Sequence, residues 1–387
     1  MGLPLGNITK NEAAQETRGF QVNHLTGEIF ENQERTAKLA RAERWSLQSV
    51  ARPILGAEHR TSKCMCRKAP KQEIEILKSK EHNKASYKGL YVCASLWTCP
   101  ICAAKISERR RVELIGALAS AKSQGLHVKL LTLTVPHGIG DDLRDILEGI
   151  KNAWRRTTTG RAGKALRKLL GVRGTIRALE VTYGQNGFHP HLHVLLFLDN
   201  HATNQCVEGL FCPIWQDACT KAGLPRPSDM HGCRVDDGSK AASYASKWGL
   251  ESEMTKNHTK HGKQGGMTPW DFLRAVLEDG SDAAKYRALF KVYTEAFHGQ
   301  RQLHWSMGLK ALLEVGEVSD EELAVTDQDN CYILARLVTP EWRAIMHARA
   351  QAAVLDVAED HPEKLPALIA GLYQRHRAYL ARKAKAG

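Results

Sequence analysis

The chain reads as an α+β protein in which an antiparallel sheet with flanking helices follows a cysteine-rich segment and precedes a mostly helical region. Three observations predict this. Residues 176–183 and 190–198 are strand-like runs that flank Gly184-Gln185-Asn186-Gly187, and an Asn-Gly pair between two such runs is a strong hairpin signal. Leu143, Ile146, Leu147, Ile150 and Trp154 repeat with the period of a helix. Five of the ten cysteines fall between Cys64 and Cys102.

Taken in order, residues 1–60 form a polar leader with a helix predicted over 33–50 and a break at Pro53. Residues 61–123 hold the cysteines and run into a helix over 103–123 that carries Arg109-Arg110-Arg111. Residues 128–135 read as a strand stopped by Pro136, and 141–170 as helix. The hairpin follows, then helices over 213–222 and 240–250, closing a core region at 124–255. Residues 256–387 are helical at 270–277, 282–297 and 340–357 and end in a basic tail over 375–385. There is no internal repeat.

The 387 residues carry 55 Lys+Arg against 42 Asp+Glu, a formal charge of +13. The 43% hydrophobic and 25% charged content excludes wholesale disorder. The longest apolar runs, such as 194–198, fall far short of the ~20 residues that span a bilayer. The first seven residues lack a basic start followed by an apolar core, so no secretory signal is expected and a cytoplasmic location is. A pI near 9.3 points toward polyanions such as nucleic acid. Between Lys151 and Arg177 there are nine Lys/Arg and no acidic residue. A solvated helix face would also look like this, but the missing counter-charges make Arg155, Arg156, Arg161, Lys164, Arg167 and Lys168 candidates for phosphate contact.

Ten cysteines are too few for a disulfide scaffold of this length. Cys99-Pro100-Ile101-Cys102 has the shape of a zinc knuckle, in which a tight turn aims two thiolates at one tetrahedral ion. The second pair is Cys64 with Cys66, or Cys93 with one of them. Cys206, Cys212, Cys219 and Cys233 lack such spacing and read as core residues.

His189, His191 and His193 alternate along a strand and share a face, while Leu192, Val194, Leu196 and Leu198 share the other. Strand residues i and i+4 lie ~13 Å apart, so at most two neighbouring histidines reach one ion. His189 sits before Pro190 at the strand entrance, which favours His191 and His193. Hairpin register adds a third ligand. A two-residue Asn186-Gly187 turn sets Glu180 opposite His193, and a four-residue loop over 184–187 sets it opposite His191. Opposed residues share a face, so either places the carboxylate beside the imidazoles. Two imidazoles and a carboxylate suit Mn²⁺ or Zn²⁺, whereas Mg²⁺ prefers oxygen.

Ligand type alone leaves a zinc hydrolase open. Tyr244 and Lys247, three apart on a predicted helix, point elsewhere. A phenol near pKa 10 attacks poorly unless its oxyanion is stabilised, and Lys247 supplies charge beside it. Tyrosine attack on DNA would yield a phosphotyrosine and a free sugar hydroxyl, conserving the bond energy for rejoining.

Leu133-Thr134-Val135-Pro136-His137, then Glu180 with His189-Pro190-His191-Leu192-His193, then Tyr244-x-x-Lys247 resembles the HUH endonucleases, and more narrowly the rolling-circle initiators of bacterial plasmids with one catalytic tyrosine. Residues 93–111 also resemble the cysteine-rich region before the nuclease motifs of that family. The resemblance covers roughly 90–255, with weaker echoes at 268–270 and 303–309. It implies an RRM-like antiparallel sheet, a Mg²⁺ or Mn²⁺ site with His191 and His193 as the metal pair, Tyr244 as nucleophile and Lys247 as its companion. Implied partners are single-stranded or hairpin origin DNA and the host helicase and replication machinery, with no membrane. Some such initiators place a glutamate four residues before the nucleophile, where it activates water. Here that position is Lys240, with Asp236 and Asp237 further upstream. A transposase or relaxase would share the chemistry, although relaxases generally carry their tyrosine ahead of the histidines. A zinc-dependent DNA-binding regulator is the non-enzymatic alternative.

Overall fold

The computed structural model describes residues 20–22, 29–31, 33–238, 266–325 and 330–386. Its strands are β1 (Phe20–Val22), β2 (Ile29–Glu31), β3 (Ile74–Ser79), β4 (Ala85–Lys88), β5 (His127–Leu133), β6 (Val172–Gly184), β7 (Gly187–Leu198), β8 (Cys233–Asp237), β9 (Leu303–Trp305) and β10 (Cys331–Leu337). The chain divides into two compact units, one of residues 1–46, 68–89 and 327–387, the other of 47–67 and 90–326.

In the first unit β3 is the middle strand of a sheet ordered β10-β3-β4, both pairings antiparallel. The helix Gln351–Asp360 is pinned by Glu359, whose carboxylate accepts from the Ala85 N–H at 2.8 Å and pairs with Arg41. Tyr87 donates to the Gln351 carbonyl at 2.9 Å and packs edge-on against Trp45 and Trp342.

The second unit holds a five-stranded antiparallel sheet ordered β8-β5-β7-β6-β9. Side chains alternate across it. On β7, Leu195 and Phe197 lie on the imidazole face and pack with Leu130, Ile176 and Ala178 beneath Leu114, Ala117 and Ala121 of the helix Pro100–Ser123. Spaced three and four apart, those three residues form the stripe with which that helix meets the sheet. On the opposite face, Leu196 and Thr175 meet Trp154, Leu166 and Phe211 from the helices Leu143–Thr159, Arg161–Leu170 and Asn204–Lys221.

Several sequence expectations are corrected. The first helix runs over Gln33–Leu55, past Pro53, and stops at Gly56, which takes φ +85° while its N–H donates to the Arg52 carbonyl at 3.0 Å. The stretch 141–170 is two helices, divided at Gly160, whose backbone is extended and caps both. The helix expected over 213–222 starts at Asn204, where Thr203 accepts from the Cys206 N–H, and Pro213 lies inside it. Of the two expected hairpin registers the structure has that of the loop over 184–187, with Glu180 opposite His191, and not that of an Asn186-Gly187 turn: Gly184 pairs with Gly187, so Gln185 and Asn186 form the tip and only Gly187 takes positive φ, +87°. Cys212 and Cys233 are not independent core thiols but a disulfide, with Cα atoms 5.4 Å apart. The region 256–387 also contributes strands, β9 beside β6 and β10 beside β3.

Candidate functional site

β6 and β7 place the carboxylate and imidazoles together. Glu180 pairs with His191 in the ladder, and Ala178 with His193. Glu180 Oε2 lies 3.3 Å from His191 Nε2 and 3.4 Å from His193 Nε2, so one oxygen faces both rings. The second nitrogen of each ring is anchored. His191 Nδ1 donates to the His189 carbonyl at 3.1 Å, and His193 Nδ1 meets Thr132 Oγ1 on β5 at 3.1 Å. Holding Nδ1 in this way turns Nε2 toward the shared point, the arrangement by which neighbouring groups orient metal-binding imidazoles.

The electrostatics agree with a site built for positive charge. Burial pushes the Glu180 carboxyl up, but His193 and His191 outweigh it and hold it well below the usual carboxylate range. Burial draws His191 down, yet its bond to Glu180 prevails and raises it above an ordinary imidazole. With Nδ1–H committed to a carbonyl, the short contact between His191 Nε2 and the carboxylate needs a proton or a cation between them. The three donor atoms lie within 4.8 Å of one another, a span that one ion can bridge. This donor set fits a divalent cation.

His189 is not part of this trio. It stacks on His191 with ring centroids 5.1 Å apart, and its Nδ1 lies 3.2 Å from His137 Nδ1. Burial, with the neighbouring charges of His191 and His137, pushes His189 down to about 4. His137 was visible in the sequence beside Pro136, but nothing in its spacing tied it to the later strand.

Tyr244, Lys247 and Lys240 lie outside the described residues. Of the two upstream aspartates, Asp236 pairs with Leu130 and so shares the imidazole face, while Asp237 pairs with Lys129 and faces the other way. Arg234, opposite Thr132, holds Asp236 at 3.3 Å.

The second cluster is formed by Cys64, Cys93, Cys99 and Cys102, all buried, with sulfurs within 4.8 Å of one another. The Cys64–Cys102 and Cys93–Cys102 sulfur distances are 3.5 and 3.7 Å. Four sulfurs at ~2.3 Å from a tetrahedral zinc would stand ~3.8 Å apart, so the cluster has the size such an ion requires. Cys66 lies outside it, only half-buried. Met65 and Ala94, each following a ligand-type cysteine, take φ +53° and +48°. Left-handed backbone at a non-glycine residue is strained, and here it bends the chain at both cysteines. Backbone N–H groups of Cys93 and Cys102 point at the sulfurs of Cys64 and Cys99. Bonds from Cys64, Cys93 and Cys99 hold Cys102 well below an ordinary thiol, whereas Cys64 and Cys99 are raised.

Arg155, Arg156, Arg161, Lys164 and Lys168 are exposed and Arg167 half-exposed, and none makes an ion pair with a described residue. They lie on helices that cover the sheet face opposite the imidazoles. The sequence could not reveal this separation. Among the described residues, no helix is long and apolar enough to cross a membrane.

Comparison with known proteins places these features in a family. A family model described as "Replication protein" matches residues 88–347, which takes in the five-stranded sheet and three of the four clustered cysteines. "Protein rep" of Streptomyces lividans is 27% identical over 331 residues, covering 66% of this chain and 73% of its own. "Neomycin resistance protein" of Streptomyces cyanogenus is 28% identical over 170 residues, covering 35% of this chain and 39% of its own. No solved structure matches the chain significantly. With two thirds of its length matched, the chain belongs to the replication-protein family.

Proposed function

We propose that the chain initiates rolling-circle replication of a plasmid by nicking one DNA strand at an origin. The observation that carries this reading is the convergence of His191 and His193 on a single oxygen of Glu180, in a chain of the replication-protein family. A Mg²⁺ or Mn²⁺ ion held by these three residues would polarise the scissile phosphodiester and neutralise charge on its oxygens. Thr132 and the His189 carbonyl fix the rings that hold it.

Tyr244 is the nucleophile. Its oxygen bonds to phosphorus, the P–O bond to the 3′ side of the preceding nucleotide breaks, and that oxygen leaves as a 3′ hydroxyl after taking up a proton. The phenolic proton passes to solvent, eased by the positive charge of Lys247. The products are a 5′-phosphotyrosine link and a primer end. The reverse attack by a 3′ hydroxyl rejoins strands without an external energy source. Zinc in the four-cysteine cluster serves the fold rather than the chemistry, because all four positions around it are protein sulfurs. Host helicase and replication enzymes act on the strand so exposed, and Arg155, Arg156, Arg161, Lys164, Arg167 and Lys168 contribute phosphate contacts beyond the nick.

The test is cleavage of an end-labelled single-stranded origin oligonucleotide with Mn²⁺. Wild type should cut once and retain label on the protein. Tyr244→Phe should do neither, and His193→Ala should bind the oligonucleotide without cutting it. Cutting that survives Tyr244→Phe would favour metal-activated water and overturn the tyrosine reading.

A further inference from the structure

The helix Leu365–Ala386 packs along one stripe. Leu365, Ile369 and Leu372 are buried, and further along the His376 and Tyr379 rings lie 4.8 and 4.5 Å from that of His347 on the helix Thr339–His347. The rest of its second half is open to solvent. Arg375, Arg377, Arg382, Lys383 and Lys385 are all exposed, and none makes an ion pair or hydrogen bond with a described residue. Arg377 lies over a ring of its own helix, with its guanidinium carbon 5.8 Å from the Tyr373 centroid. At 3.6 residues per turn, Arg375, Arg382 and Lys385 share a second face, away from the buried stripe, and span ~15 Å of the helix axis.

Cations in a last turn complement the negative end of the helix dipole, which accounts for Lys383 and Lys385. Arg375, Arg377 and Arg382 come before that turn, where the dipole gives little. Counter-charges are also missing. Residues 331–387 hold five carboxylates, and each is engaged elsewhere. Asp356 and Glu359 pair with Arg41, and Asp360 pairs with Lys38 at 2.7 Å. Glu341 accepts from the Val338 N–H at 3.0 Å, and Glu363 lies 3.4 Å from His361 Nδ1. No acidic residue follows Glu363. Like charges on one helix repel, so this face gains free energy when an anion approaches it. Helices that lie on anionic lipid present a broad apolar face. Here Tyr379 and Leu380 are the exposed large apolar residues, and Tyr379 is packed against His347. A second copy of the chain would bring the same cations.

We propose that the second half of this helix docks on duplex DNA, with Arg375, Arg382 and Lys385 set along the phosphate backbone. The site goes beyond the nicking reaction. It rests on the charge of the helix and on membership of the replication-protein family, not on tyrosine chemistry. Shape selects the duplex. A helix ~10–12 Å across suits a major groove ~12 Å wide, and a single strand offers no such groove. Guanidinium groups donate paired N–H bonds to phosphate oxygens. Phosphate contacts fix position without reading bases, so the helix supplies a grip that is independent of sequence.

The experiment is a salt titration of binding, by fluorescence anisotropy, of a random-sequence duplex and of a single-stranded oligonucleotide. The protein is the full-length Tyr244→Phe chain without added Mg²⁺ or Mn²⁺, so a failure of the nicking reading leaves this measurement intact. Arg375→Gln with Arg382→Gln should weaken duplex binding about tenfold or more at 0.1 M salt and lower the log–log salt slope by ~2, the signature of two lost phosphate contacts. Both side chains are exposed and precede the last turn, so the circular dichroism and melting temperature of this variant should match those of the parent. Arg382→Lys, which keeps the charge, should keep the slope. Lys122→Gln, which removes an exposed charge from another helix, should leave the slope unchanged. An unchanged duplex slope in the double variant overturns the proposal, as does a loss of ~1 for Lys122→Gln. A loss on the single strand as large as that on the duplex overturns the groove assignment. Loss of binding to phosphatidylserine vesicles, with duplex binding intact, would assign the helix to a membrane and also overturn it.

Discussion

Glu180 and His193 are two positions out of register in the β6–β7 ladder, yet their Oε2 and Nε2 atoms are 3.4 Å apart. Glu180 pairs directly with His191, so it reaches diagonally along the face to the second ring. Diagonal neighbours on one face of an antiparallel pair lie within reach of long side chains. One carboxylate oxygen is thereby shared by two imidazoles, which is the geometric basis of the proposed cation site.

Loss of that oxygen should be felt as affinity. Glu180→Gln keeps the shape of the side chain but removes its charge. Mn²⁺ binding followed by titration calorimetry should weaken roughly tenfold or more, while the melting temperature of the metal-free protein changes little by comparison. Equal Mn²⁺ affinity would place the ion elsewhere.

Thr132 tests the orienting bond alone. Thr132→Val removes the partner of His193 Nδ1 without touching a donor to the ion. A loss of ~10–100-fold in Mn²⁺ affinity is expected, the usual effect of deleting such a partner. Thr132→Ser, which retains the hydroxyl, should restore most of it.

Binding should also release protons. Because Glu180 raises His191 above an ordinary imidazole, the metal-free site holds its proton to higher pH, and a cation must displace it. Mn²⁺ affinity therefore falls as pH falls. Calorimetry at pH 7 in two buffers of different ionisation enthalpy should reveal proton release by wild type and less by Glu180→Gln. Identical heats in both buffers would contradict this sign.

The sulfur cluster makes a selective prediction. Elemental analysis of the wild type should find one zinc per chain, and Cys99→Ser and Cys64→Ser should each abolish it and lower the melting temperature. Cys66→Ser should retain zinc, since Cys66 lies outside the four.

At the hairpin tip, Gly187 takes φ +87°, and a Cβ there would stand 3.1 Å from the Gly138 carbonyl oxygen and from Ile139 Cα. Gly187→Ala should cost ~1–2 kcal/mol of stability for the left-handed backbone alone, read by urea unfolding. It should also loosen the loop over 138–139.

The face shared by Glu180, His191 and His193 was legible because the two-residue period of a strand is set by the pleat, whatever the loop. The register was legible only as a pair of alternatives. Asn186-Gly187 suggested a two-residue turn requiring positive φ at both positions. The chain instead bends at Gln185-Asn186 and reserves the left-handed backbone for Gly187. The Cys99–Cys102 pair could be read from spacing, but its partners are chosen by the bends at Met65 and Ala94, which no local pattern records. β9 is three residues long and pairs with a strand more than a hundred positions earlier, too short to show alternation.

In the proposed nicking reaction a phenolic oxygen and the Glu180–His191–His193 site act on one phosphodiester. Its most direct test is to incubate the protein with single-stranded origin DNA and Mn²⁺, digest it, and identify the DNA-linked peptide by mass spectrometry. A single adduct is expected, on Tyr244, and it should disappear in His193→Ala. Cleaved DNA with no linked peptide, or a link at any other residue, would contradict it.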